Sequence, residues 1–182
     1  MKLSRRIFLV PVANNNRGKT TLLNALLAEG LGSNSPGKKG VHSLTSPWGR
    51  EIDALVFVRS YQETEKTKHK SVINALNAVD PDWKTRELIV MPSHVGSSRG
   101  DVKQMISAAH DAGFDAVCAS VIFTGVSGNN PSQVSRIWRQ NWDERWTVPN
   151  RHHDTIKKKK LDGQLQALGC DLWTWVCRAI AS

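Results

Sequence analysis

The residues best suited to chemistry stand together near the N-terminus, where a glycine, a lysine and two threonines follow a polar run. They are Gly18, Lys19, Thr20 and Thr21, directly after residues 14–17 (NNNR). An ammonium group and hydroxyls at the start of a helix, together with the free N–H groups of its first turn, make a binding environment for phosphate. A hydroxyl can also bind the magnesium ion that accompanies phosphates. The sequence therefore predicts a nucleotide-phosphate site.

The segment ANNNRGKTT, residues 13–21, resembles the Walker A motif GxxxxGK[ST] of P-loop NTPases, with an alanine in place of the first glycine. The stretch GKTTLLNALL is similar to small GTPases, and the loop lacks the extra lysine of partition-type ATPases. The resemblance therefore implies the superfamily and not one of its families. It implies that Lys19 reaches the β- and γ-phosphates, that Thr20 ligates Mg²⁺ and that Thr21 lies near the α-phosphate. The rest of the loop comprises Ala13, Asn14, Asn15, Asn16, Arg17 and Gly18.

Alternating strands and helices are predicted around this loop. Residues 7–12 form an apolar run of strand length, and residues 19–29 place their leucines on one helical face. This alternation predicts an α/β, three-layer P-loop NTPase-like domain with a mostly parallel sheet. Further strands are predicted at 41–46, 52–58, 87–91 and 115–123, and further helices at 64–79, 101–112 and 161–180.

Phosphoryl transfer also needs a carboxylate near the magnesium ion, normally at the end of a neighbouring strand. In this chain Ser46 stands where the resemblance to a DxxG turn calls for an aspartate. Glu63 and Glu65 follow the strand at 52–58 and supply either that carboxylate or a helix cap. His94 follows the strand at 87–91, at the crevice where open α/β sheets bind ligands, and is a candidate contact to substrate or base.

The last third of the chain is basic and rich in tryptophan. Its arginines form either a lid over a transferred phosphoryl group, as in P-loop kinases, or a solvated face. Its tryptophans recur every four residues, which predicts one stripe on a helix, used for packing or, with residues 157–160 (KKKK), for stacking on nucleic-acid bases. The residues concerned are Arg136, Arg139, Arg145, Trp138, Trp142 and Trp146.

Composition limits the class of protein. The chain has 182 residues and a net charge of +9, which would attract a polyanion such as DNA. It contains no membrane-length apolar run, and its three cysteines, an odd number, fit reduced thiols in a cytoplasmic protein. We expect residues 1–130 to form the core and residues 131–182 to complete the same domain, with the terminal helix packing on the sheet or on a second copy.

These patterns lead to one expected function and two alternatives. The expected function is nucleotide binding with Mg²⁺ and slow hydrolysis, as a switch acting on a partner such as DNA. ATP is favoured over GTP because the NKxD guanine signature is absent from the sequence. The alternatives are a P-loop kinase acting on a small acceptor and a degenerate P-loop protein without turnover.

Overall fold

The structure, a computed structural model, describes residues 4–14, 18–33, 37–95, 99–122, 131–149 and 158–181. It contains one six-stranded sheet with helices on both faces, which confirms the predicted α/β class. The strands are β1 (Ile7–Val12), β2 (Gly40–Thr45), β3 (Glu51–Val56), β4 (Leu88–Val90), β5 (Asp115–Ile122) and β6 (Glu144–Pro149). The helices are α1 (Lys19–Leu31), α2 (Tyr61–His69), α3 (Val72–Val79), α4 (Arg99–Asp111), α5 (Pro131–Trp138) and α6 (Lys158–Ala181), with a short 3₁₀ helix at Trp83–Thr85.

The strand order is β2-β3-β4-β1-β5-β6, and every neighbouring pair is parallel except β2 and β3. Five strands therefore end on the same side of the sheet, which we call the carboxyl edge. It carries the segments that follow Val12, Val56 and Val90. Because β2 runs the other way, its hairpin to β3 lies at the opposite, amino edge.

Alternate residues of β1 enter two separate cores, one on each face of the sheet. Ile7 and Leu9 point toward the face covered by α1 and α6, whereas Phe8 and Val10 point toward the face covered by α2 to α5. Period-two alternation is what a pleated strand imposes. All residues of β1 are buried, so the strand that leads into the phosphate loop is held from both faces and both sides.

The C-terminal helix packs against α1 within the chain. A methyl group at Gly169 would come within 2.6 Å of Ala25 Cβ and 2.7 Å of the Leu22 carbonyl oxygen, so the helices approach closely at this glycine. Leu172, Trp173 and Val176 of α6 also share a core with β1, so α6 packs on the sheet, which is one of the two predicted alternatives. Among the described residues, α6 is the longest helix, and neither it nor any other is long and apolar enough to cross a membrane.

The prediction of one continuous helix over residues 64–79 is wrong. The structure has two helices there, separated at Lys70, which adopts a left-handed conformation with φ 63°. Ser71 then begins α3, and its side chain accepts a hydrogen bond from the Asn74 backbone N–H at 3.2 Å. A left-handed residue followed by a serine cap ends one helix and starts the next.

The single tryptophan stripe predicted after residue 131 is also wrong. Trp138 ends α5, Trp142 lies in the connection, and Trp146 belongs to β6. Trp142 is buried and donates from Nε1 to the Ile137 carbonyl at 2.8 Å, while Trp146 packs beside Trp175 of α6. Spacing alone could not separate one long helix from a helix followed by a strand, and the indoles serve packing.

Candidate functional site

The predicted phosphate loop leaves the centre of the carboxyl edge. It starts after β1, and the Ala13 backbone N–H donates to the Ser93 carbonyl at 3.3 Å, which fixes its first residue against the end of β4. Gly18 caps α1 in a left-handed conformation, with φ 89°, and no acidic side chain occupies the first turn of this helix. The positive end of α1 therefore faces the loop uncompensated. Residues 15–17, predicted to complete the loop, lie outside the described residues.

Lys19 is the buried cation of this site. Its Nζ donates to the carbonyl oxygens of Ala13 and Asn14, at 2.7 and 2.8 Å, so the side chain folds back over the start of the loop. Burial lowers the pKa of Lys19 to about 8, while the charge of Glu63 acts in the opposite direction. The ammonium group is thus poorly solvated, held by neutral carbonyls and responsive to nearby negative charge.

The structure brings two further predicted residues to the same edge. Glu63, in the first turn of α2, forms a hydrogen bond with His94. The Nε2 atom of His94 lies 2.9 Å from Glu63 Oε1. His94 directly follows the end of β4, and Glu63 is close enough to Lys19 to influence its pKa. Thr20 is exposed and Thr21 is half-buried on the first turn of α1. Glu63 and His94 therefore form a hydrogen-bonded pair at the edge that also carries Lys19.

A hydrogen-bond network ties α2 to the end of β4. Gln62 donates from Nε2 to Ser93 Oγ and to Asp101 Oδ2, both at 3.0 Å, and accepts from the His94 N–H at 3.1 Å. Lys66 forms an ion pair with Asp101 at 2.9 Å. Ser93 also contacts the phosphate loop through its backbone. The network therefore connects α2, β4 and α4 with the strand end that carries the loop.

Asp101 is a buried carboxylate at this edge that the sequence analysis missed. It is 4% exposed and lies in the first turn of α4. The acid was predicted at the end of a strand, whereas Asp101 lies at the start of a helix. An aspartate shortly after a glycine- and serine-rich segment, residues 96–100, was the available signal.

Three buried polar atoms at the start of α2 have no hydrogen-bond partner among the described residues: Ser60 Oγ, Tyr61 OH and Glu65 Oε2. Glu65 Oε2 lies 3.4 Å from His69 Nε2, an ion-pair separation without a hydrogen bond, while its other oxygen accepts from Lys39 Nζ at 2.9 Å. Burial raises the pKa of Tyr61, and the nearby charges of Asp101 and Glu65 act in the same direction. Unsatisfied buried groups are rare in proteins and concentrate at functional sites.

Ser46 does not occupy the position of a magnesium aspartate. It begins the hairpin between β2 and β3, and its Oγ accepts a hydrogen bond from the Arg50 backbone N–H at 2.9 Å. Because β2 is antiparallel to β3, this hairpin lies at the amino edge, on the far side of the sheet from the phosphate loop. The buried hydroxyl of Ser46 stabilises a turn.

The three arginines predicted as a lid also lie away from the loop. Arg145 donates from Nε to the Trp138 carbonyl at 2.7 Å and from Nη2 to the Gln140 carbonyl at 2.9 Å, so it caps the end of α5. Arg136 and Arg139 are exposed at the same end of α5, which leads into β6 at the amino edge. The solvated-face alternative describes them better than a lid. Residue 157 and the side chains of residues 158–160 lie outside the described part.

The residues present fit a magnesium ion held mainly by phosphate. No group of three or more His, Cys, Asp or Glu side chains among the described residues could hold a metal alone. Magnesium commonly keeps several waters and binds through one or two protein ligands plus substrate phosphates. Among the described residues at this edge, the exposed Thr20 hydroxyl and the exposed Glu63 carboxylate are oxygen ligands that such an ion could use.

Comparison with known proteins gives only loose structural likeness. No family model and no curated protein matches the sequence. Among solved structures, the FeoB G-domain from Methanococcus jannaschii matches with a TM-score of 0.37 and 13% identity, covering 92% of this chain and 99% of that one. Two SsGBP variants, G235S and G235P, match with TM-scores of 0.37 and 0.36 and 13% identity. They cover 92% and 91% of this chain, which spans 57% of theirs. The assignment of function therefore rests on the residues of this chain.

Proposed function

We propose that this chain binds a nucleoside triphosphate with Mg²⁺ at the phosphate loop and hydrolyses it slowly. The observation that carries the proposal is the buried Lys19 at the start of α1, whose hydrogen-bond partners among the described residues are the loop carbonyls of Ala13 and Asn14. A lysine in a structural role would be expected to pair with an acid or reach solvent. This one instead keeps its ammonium group available at the positive end of a helix, the environment that binds phosphate.

Binding requires Lys19 to exchange two carbonyl contacts for phosphate oxygens. Hydrogen bonds from an ammonium to an anion are stronger than those to a neutral acceptor, so the exchange favours the bound state. The N–H groups at the start of α1 add further donors. Thr20 would ligate Mg²⁺, which, when bound, neutralises charge on the phosphates.

Hydrolysis would use the pair formed by Glu63 and His94. Their hydrogen bond, 2.9 Å long, holds an imidazole and a carboxylate where a water near the terminal phosphate could lose a proton. We expect turnover to be slow because the residues directly after β3, Phe57 to Ser60, include no carboxylate to fix the magnesium shell. Arg136, Arg139 and Arg145 give no support to a kinase lid, so hydrolysis is favoured over transfer to an acceptor.

The first experiment measures ATP and GTP binding by calorimetry with Mg²⁺, for the wild type and Lys19→Met. Loss of two charge-assisted contacts should lower affinity by roughly a hundredfold. Lys84→Met is the matched control because Lys84 is exposed and precedes β4 at the amino edge. The proposal is contradicted if the wild type binds neither nucleotide, or if both variants bind as the wild type does. Because the guanine signature is absent, ATP should bind more tightly than GTP.

Phosphate release in the same samples separates an enzyme from a passive binder. We expect slow release by the wild type and a further decrease, about tenfold or more, in His94→Asn, with nucleotide affinity retained. Binding without any phosphate release would leave nucleotide binding standing and eliminate hydrolysis.

A further inference from the structure

The outer surface of α2 and the segment beside it form a cluster of basic side chains, which we call the α2 basic rim. It consists of Lys38, Lys39, Arg59, Lys66, Lys68 and Lys70. All six side chains are exposed. Lys39 is tied to α2 by its ion pair with Glu65, at 2.9 Å, so the segment before β2 and the helix face the same side. Because α2 follows β3 and β2 is antiparallel to it, the rim lies at the carboxyl edge.

The acidic residues near the rim cancel little of its outward charge. Glu65 and Asp101 are 3% and 4% exposed, and their charges are turned inward onto Lys39 and Lys66. Glu63 is exposed but faces His94. The remaining cations, Lys38, Arg59, Lys68 and Lys70, form no ion pair with any described residue. Four of the six rim cations therefore carry positive charge without an ion pair to a described residue, and the other two are paired with buried acids beside the candidate site.

The side chains of the rim favour the backbone of a nucleic-acid duplex over other polyanions. Single-stranded nucleic acid is held by stacking of its bases on aromatic side chains. Among the described residues the large apolar side chains in the exposed class are Val41, Trp48 and Ile73, and Trp48 lies in the hairpin at the amino edge. A helix that lies on a lipid surface presents a face of Trp, Phe or Leu between its basic residues. The α2 sequence YQETEKTKH contains none of these residue types, and its one aromatic residue, Tyr61, is buried. Exposed lysines on such a polar helix suit phosphates, which are densely spaced along a duplex.

We infer that the α2 basic rim binds the phosphate backbone of duplex DNA without reading its sequence. This relocates the nucleic-acid contact predicted for the C-terminal segment to the helix that carries Gln62 and Glu63. The rim does not depend on nucleotide binding. If both activities are present, however, the nine residues of α2 span from the candidate site to the DNA surface, and nucleotide and DNA would affect one another.

The test measures DNA binding by the full chain. Binding is monitored as the fluorescence anisotropy of a short labelled duplex of mixed sequence, at several salt concentrations. The variant is Lys68→Gln with Lys70→Gln, two unpaired rim lysines. Its matched control is Lys84→Gln with Arg178→Gln, which removes the same charge from two exposed residues outside the rim. The rim variant should bind DNA about tenfold or more weakly at low salt, and its log–log salt slope should fall by about 2, since each lost contact contributes about 0.9.

The control variant should retain most of the wild-type affinity and the full salt slope. An equal loss in both variants would overturn the rim, because overall charge would then explain binding. Absence of DNA binding by the wild type, or tighter binding to an RNA duplex of the same sequence, would overturn the inference. ATP calorimetry on the same proteins distinguishes failure of this inference from failure of the proposed function. The rim variant should bind ATP with wild-type affinity, and Lys19→Met should bind DNA with wild-type affinity in the absence of nucleotide.

Discussion

The two edges of the sheet hold their charged side chains in contrasting ways. At the amino edge Arg86 bridges two acids, donating to Asp80 at 2.7 Å and to Asp53 at 2.6 Å. At the carboxyl edge the partners of Lys19 among the described residues are two backbone carbonyls, and buried polar atoms in and just before α2 have no partner in the same part of the chain. Matched ion pairs stabilise a fold, whereas unmatched groups cost stability and are retained where a ligand completes them.

The pKa values show the same contrast. Hydrogen bonds from Arg86 lower the pKa of Asp80, so the native state favours the charged form that is present at neutral pH. Burial lowers the pKa of Lys19 to about 8, so the native state disfavours its charged form. The charge of Asp80 therefore stabilises the native state at the amino edge, whereas the charge of Lys19 costs stability at the carboxyl edge. This difference supports a structural role for one edge and a binding role for the other.

The largest expected effect on stability is at the amino edge. Arg86→Ala leaves Asp80, 5% exposed, as a buried carboxylate without its cation, and should lower the free energy of unfolding by about 3 kcal/mol. Urea denaturation at pH 7 measures this loss. The paired form of Asp80 contributes stability above the carboxyl's unfolded pKa, and that contribution is lost as pH falls through the lower native pKa. The difference between variant and wild type should therefore shrink below about pH 4.

Arg50→Ala is the matched control for this prediction. Arg50 pairs with Glu87 at the same edge, but both side chains are partly exposed, at 36% and 23%. Its removal should cost less than about 1 kcal/mol. Equal losses for the two arginines would show that burial of Asp80 does not decide the stability of this edge.

At the carboxyl edge, removal of a charge is expected to raise the free energy of unfolding rather than lower it. Lys19→Met removes a buried charge while keeping an unbranched side chain, and should raise the free energy of unfolding by about 2 kcal/mol at pH 7, in the absence of nucleotide. Between the native pKa of about 8 and the ordinary value of 10.5, the unfolded wild type binds more protons than the native protein. Wild-type stability should therefore rise through this window relative to the variant. A destabilised variant would contradict the contrast between the edges.

A smaller effect concerns the pH dependence of nucleotide binding. Phosphate beside Lys19 should raise its pKa, so the protein takes up a proton on binding when the lysine is partly neutral. Affinity should fall about tenfold between pH 7 and pH 9, with uptake of about half a proton at pH 8. Calorimetry in two buffers of different ionisation enthalpy measures the uptake. Lys19→Met corrects for titration of the nucleotide, and an unchanged pH profile in this variant would exclude Lys19 as the responsive group.

Local pattern was sufficient to predict the elements around the phosphate loop. β1 was predicted with its observed bounds, and α1 begins at the predicted residue. Both predictions succeed because an apolar run, a polar segment and a helix-period leucine pattern follow one another there. Counting to strand ends also placed Glu63 and His94 at the same edge. The position of Ser46 was missed because it depends on the direction of β2, which the residues of a short strand do not encode. Asp101 was missed because its approach to Gln62 requires the tertiary structure.

The central position of β1 has a consequence for the order of folding. This strand precedes the other described strands in the chain, yet its neighbours are β4 and β5, paired at Ile7 with Leu88 and with Asp115. Contacts so distant in sequence form late, because a long loop must close before they are made. During synthesis β1 cannot pair with β4 until Val90 has emerged, and it cannot pair with β5 until Ser120 has emerged. The nascent chain therefore exposes one wholly apolar strand until β4 has been synthesised, and β1 gains its second neighbour only with β5.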